Sequence, residues 1–337
     1  MMRGMSGLFR MTPLFAALFA NACHASPRAI SSSDPASPLG LERTIALPDV
    51  SGRIDHFAID LRDKLLFVAE YGNGTVDAVD LVAGTVADRI TGLHEPQGLA
   101  VLADGQVFVA CGDGSVHFYY ARGRHEIATL TLEDDADNVR VDARNGHVVV
   151  GYGSGALAVI DPASHHLLAT LELTGHPEGF RLIGGKALVN IPDRGVIVAA
   201  DIDAGKVTSS WSTGLRRMNF PLAIDPSGRW FAIAYRFPAA LQVRSADSGD
   251  EIRTRRACGD ADDLFIDGDR FFLVCGAGNI DVVSTTDAGA ETVRVATAPG
   301  ARTGLFVPEL RTLFLAVPSR GGSAAIWALS TNASSLK

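Results

Sequence analysis

Long membrane-spanning runs, basic clusters and close-spaced catalytic motifs are what this 337-residue sequence lacks. The apolar stretch Met11 to Ala20 (MTPLFAALFA) is too short to cross a bilayer, so no membrane span is expected in the mature chain. Lysine and arginine total 30 against 38 aspartates and glutamates, and no basic run offsets the net charge of −8, which argues against a phosphate backbone as partner. No H-E-x-x-H pair, nucleophile elbow or triad order occurs, so any chemistry has to be assembled from distant parts of the chain. Cysteine is scarce at four residues, whereas 35 glycines and 47% hydrophobic residues point to a large core with many tight turns.

The first 25 residues read as an export signal. Arg3 and Arg10 form a basic leader, the apolar run follows, and Ala20-Asn21-Ala22 or Cys23-His24-Ala25 supplies a small-residue cleavage site. A periplasmic or secreted protein is expected. Acylation at Cys23 would need a better lead-in than Ala20-Asn21-Ala22. Removal of the signal leaves Cys111, Cys258 and Cys275, an odd number in a compartment that permits disulfides. Residues 26–40, polar and rich in serine and proline, read as a flexible spacer. Residues 332–337 read as a short tail.

Between them the chain repeats itself. Units begin at Asp55, Gln97, Asp137, Glu178, Phe220, Asp262 and Thr303, spaced by 40 to 42 residues. Each opens with an alternating segment, such as Phe57/Ile59 or Val139/Val141, and the period of two means strand. A continuously apolar run follows (LLFVAE, QVFVAC, HVVVGY, KALVNI, WFAIAY, FFLVCG, LFLAVP), as suits a strand buried on both faces. A third strand and a more polar fourth complete the unit. Four strands per unit predict an all-β, seven-bladed β-propeller over residues 41–331 with antiparallel four-stranded blades. The seventh unit has only three strands before the chain ends. Leu41 to Leu47 has the character of the missing fourth, so the N-terminal strand is expected to close the ring.

Phe67-Val68-Ala69-Glu70, Phe108-Val109-Ala110-Cys111 and Ala187-Leu188-Val189-Asn190 resemble the four-residue signature of the YVTN family of bacterial seven-bladed propellers, to which YncE-like proteins belong. Val79-Asp80 through Gly84-Thr85-Val86 is similar to that family's turn and strand. The resemblance runs from Leu41 to about Ser330 and implies the propeller fold. It implies little about activity, since relatives include ligand binders, lactonases and streptogramin lyases.

Strand parity places the loops entering each first strand on the same face as the loops between second and third strands. The entering residues converge at the mouth of the central channel on this top face, and they are polar: Asp55, His56, His94, Glu95, Asp137, His176, Glu178, Arg217, Asn219, Asp262, Asp263 and Arg302. Glu70, Tyr71, Arg236 and Arg320 join them from the other loops. Three readings stay open. The mouth binds a small polar molecule or a protein partner, as a monomer; it holds a divalent cation through carboxylates and imidazole; or it is a hydrolase or lyase site with His56, His94 or His176 as acid or base and Arg217 stabilising negative charge. Arg216, Arg217 and Arg302 either hold an anion or pair with Asp260, Asp262 and Asp263. Cys258 and Cys275 fall on the top side of one unit and suit a disulfide, and Cys111 reads as a small buried apolar residue.

Overall fold

The computed structural model describes residues 28–29, 37–120, 125–287, 289–320 and 322–332. The expected export signal, most of the spacer and all of the tail but Asn332 lie outside these residues. Seven sheets of antiparallel strands follow one another along the chain. The first blade is Phe57–Asp60, Leu65–Glu70, Thr75–Asp80 and Thr85–Thr91, and the next five repeat the order. In the seventh, Gly304–Val307, Thr312–Val317 and Ala325–Thr331 take their outermost strand from Leu39–Ala46 at the other end of the chain.

Burial explains the layering. The apolar second strands are enclosed by neighbouring blades on both sides, so Leu66 to Ala69, Val107 to Cys111 and Phe271 to Cys275 are all buried. Between blades one and two, Phe67, Val76 and Ala78 pack with Leu99, Val107 and Val109. Within blade two Phe108 meets Phe118 edge to face with centroids 5.0 Å apart, and both pack with Val139, Val148 and Val150 of blade three. Fourth strands face solvent and alternate. Cys111 lies inside this packing with no disulfide partner among the described residues, and burial pushes its thiol up to about 12.

The closing strand begins two residues earlier than the sequence suggests. Leu39 pairs with Thr331 and Gly40 with Ser330, and the Leu39 side chain is fully buried, so the end of the expected spacer belongs to the sheet. Asn332 fixes this join: its backbone N–H donates to the Pro38 carbonyl at 3.0 Å and its Nδ2 to the Ser37 carbonyl at 2.8 Å. Averaged polarity conceals a single apolar anchor of this kind. Arg28–Ala29 also leaves the spacer to pair in parallel with Val295–Ala296 at the edge of blade six.

Cys258 and Cys275 are bonded, 17 residues apart, on the top side of blade six. On the opposite face His165 packs edge-on against Phe118 at 4.6 Å and hydrogen-bonds Gln106 Oε1 at 3.0 Å.

Candidate functional site at the channel mouth

A cavity of about 810 Å³ opens on the axis at the top face. Eight of the twelve sequence-selected residues line it: Asp55, His56, Asp137, His176, Glu178, Asp262, Asp263 and Arg302. Tyr71, Arg236 and Arg320 also line it, so both sets of top loops contribute. Two glycines allow the entering strands to converge this tightly. A Cβ on Gly98 would lie 1.7 Å from the Asp137 carbonyl oxygen, and one on Gly179 would lie 2.4 Å from that of Phe220. Gly98 thus seats Asp137 against the neighbouring blade.

Four selected residues go elsewhere. His94 is exposed and does not line the cavity. Glu95 sits at positive φ beside Tyr71, whose phenol is pushed up by burial and by that carboxylate. Arg217 turns to a neighbouring recess of about 390 Å³, and its guanidinium donates to the Arg216 carbonyl at 2.8 Å. Asn219 is fully buried between blades four and five, with Nδ2 donating to Asn190 Oδ1 at 3.2 Å, and is a structural clamp. Glu70 is likewise inside blade one rather than at the mouth. Burial and the adjacent Asp77 raise its carboxyl to about 8, while Asp77 is held by Arg89 at 2.8 Å.

The cavity wall is divided by charge. On one side Asp55, His56, Asp137, His176 and Glu178 gather. His56 Nδ1 lies 3.3 Å from Asp55 Oδ1 and 3.6 Å from Asp137 Oδ1. His176 Nδ1 is 2.7 Å from the Gly153 carbonyl and its Nε2 is 3.7 Å from Asp135. Burial works against the His176 imidazolium, but that carbonyl and the surrounding carboxylates outweigh it and raise its pKa. Burial, with Asp137 adding repulsion, raises Glu178 to about 7. Burial is also the main cause of the raised pKa of Asp137.

The other side is rich in arginine. Asp262 is held between Arg236 and Arg302, the latter at 3.3 Å, so the expected arginine and aspartate network exists in part. Asp263 accepts the Gly304 N–H at 2.8 Å, and burial lifts it to about 6. Two further arginines, Arg140 and Arg181, stand deep in the channel, from the first strands of blades three and four. Arg140 donates to the Phe180 carbonyl at 3.0 Å and to Asn138 Oδ1 at 3.2 Å, and Arg181 donates to the Phe180 carbonyl at 2.9 Å. Among the described residues neither has a carboxylate oxygen within 4.0 Å. Burial, with repulsion from Arg181 second, lowers Arg140 to about 9. Arg53, which pairs with Asp55 at 2.7 Å, also lines the cavity. These three arginines escape a sequence reading because Arg140 and Arg181 occupy alternate positions within strands otherwise read for core, and Arg53 precedes the repeat boundary. The available signal was a charged residue between two core positions of an innermost strand.

Fold and site together define a seven-bladed propeller with a polar, two-signed cavity at one end of its channel. No family model and no curated protein matches the sequence. Among solved structures, the hydrazine synthase of Kuenenia stuttgartiensis is similar, with a TM-score of 0.72 at 13% identity, over 86% of this chain and 98% of that one. At that identity the likeness supports the fold alone.

Proposed function

We propose that this protein is an exported propeller of the YVTN type that binds a small polar molecule carrying an acidic group in the channel-mouth cavity. The observation that carries this reading is the pair Arg140 and Arg181, two guanidinium groups in an 810 Å³ cavity without a carboxylate within 4.0 Å among the described residues. Burying unpaired charge is costly, and a carboxylate or phosphate of the ligand would offset that cost by bidentate pairing. Arg236 and Arg302 already have Asp262, so they would orient the ligand rather than neutralise it. The disulfide supports an extracytoplasmic setting.

Catalysis is the second possibility raised by the sequence. His56 and His176 remain in the cavity for it, but His94 and Arg217 do not line it.

The test is thermal stabilisation by a panel of small carboxylic and phosphate acids. Ligand at one hundred times its dissociation constant stabilises the fold by about 2.7 kcal/mol. A hit is expected with the wild type and not with Arg181→Gln. A hit of equal size in that variant would overturn the reading.

A further inference from the structure

Beyond the acid-binding arginines, we propose that Asp55, His56 and Asp137 form a binding site for one divalent transition cation on the opposite wall of the same cavity. The ligand atoms of these three side chains lie within 4.8 Å of one another. The two resolved separations, 3.3 Å from His56 Nδ1 to Asp55 Oδ1 and 3.6 Å to Asp137 Oδ1, bracket the spacing of about 3.4 Å between tetrahedral ligands on bonds of about 2.1 Å.

The second observation is independent of the clustering. His56 Nδ1 and Asp137 Oδ1 are buried and have no hydrogen-bond partner. Buried polar atoms are satisfied as a rule, so two orphans facing each other call for a third group between them. Asp137 is 8% exposed, Asp55 is 4% exposed, and among the described residues the only cationic group within 4.0 Å of Asp137 is His56.

The outer oxygens have other neighbours, an ion pair for Asp55 and a hydrogen bond for Asp137. Arg53 meets Asp55 Oδ2 at 2.7 Å, and Asn138 Nδ2 donates to Asp137 Oδ2 at 3.2 Å. Each carboxylate therefore keeps its inner oxygen for the imidazole side, an arrangement of supporting contacts that orients metal ligands. One imidazole nitrogen with two carboxylate oxygens favours Mn²⁺, Co²⁺ or Zn²⁺ over the all-oxygen preference of Ca²⁺ and Mg²⁺. Three protein ligands leave at least one position open to the cavity, for water or a ligand oxygen.

The probes are MnCl₂, followed by electron paramagnetic resonance, and ZnCl₂, followed by metal analysis after dialysis of chelator-stripped full-length protein. One equivalent per chain is expected. Affinity should fall at least tenfold in Asp137→Asn and in His56→Ala, and stay unchanged in His94→Ala, with melting curves confirming that each variant folds. His56 is half-buried, so its variant keeps the test decisive if Asp137→Asn fails to fold. No stoichiometric ion, or an ion retained equally by His56→Ala, would overturn the assignment and show His56 to be a charge clamp between two aspartates. The bare ions need no organic ligand, so failure here is separable from failure of the acid-binding reading, which Arg181→Gln tests alone.

Discussion

Four acids that line the channel mouth and three aspartates in the bottom-face turns are shifted in opposite directions. On the bottom face, Asp60 accepts the backbone N–H groups of Arg62 at 2.9 Å and Asp63 at 3.3 Å, and its ion partner Arg62 reaches the Ala103 carbonyl of the next blade at 2.7 Å. Asp142 holds Arg144 at 2.7 Å, and Arg144 bridges to Asp203 of blade four at 2.7 Å. Hydrogen bonding from Arg144 lowers the pKa of Asp142. For Asp60 and Asp225, burial acts in the other direction and is outweighed by donors, chiefly Arg62 and Ser227. At the channel mouth Asp137, Glu178, Asp262 and Asp263 are all raised, with burial the largest cause in each. A carboxylate that meets N–H donors in a turn braces the ring. One buried among other acids weakens the ring at neutral pH, a cost that the proposed ligand site would account for.

Opening the ring would remove the distinction altogether. Deleting residues 39–46 strips blade seven of its outer strand and exposes the edge of Ala325–Thr331; the expected result, read by circular dichroism melting, is loss of a cooperative transition. The disulfide braces blade six on the mouth side. Replacing both Cys258 and Cys275 by serine should cost about 3 kcal/mol in urea titration, in line with the loop it closes. A smaller, more pointed comparison sets one acid from each face side by side. Asp142→Ala should lose about 2 kcal/mol, whereas Glu178→Gln at pH 7 should leave stability equal or higher. The reverse order would break the contrast.

Most of the frame was readable from the chain. The seven apolar second strands carry the repeat, and Leu41 to Leu47 announced its own role because the seventh unit lacked a partner for Ala325–Thr331. Parity of antiparallel strands put Asp55, His56, Glu178 and Asp262 at one mouth without coordinates, and they line one cavity. What parity does not supply is depth and direction. His94 and Asp137 both enter first strands, but only Asp137 is drawn inward, against Gly98. Asn219 enters a strand and is swallowed by the packing of blades four and five. Arg140 and Arg181 were hidden because an innermost strand has one side chain in two directed away from the pattern used to recognise it.

The division between the faces is tested most directly by equilibrium unfolding in urea from pH 4 to pH 8, comparing wild type with the double variant Glu178→Gln and Asp263→Asn. A raised carboxyl pKa means that the folded chain keeps a proton the unfolded chain has released, so stability is full below the unfolded value and declines as pH rises to the folded one. For Glu178 that window runs from 4.5 to about 7, and for Asp263 from 3.8 to about 6. Glu70 adds a decline from 4.5 to about 8 that the double variant retains. The bottom-face aspartates act in the opposite sense, below their ordinary value of 3.8. The account predicts that wild-type stability falls between pH 4.5 and 7 and that the double variant falls less; stability that rises across this window, or an identical slope in the two proteins, would contradict it.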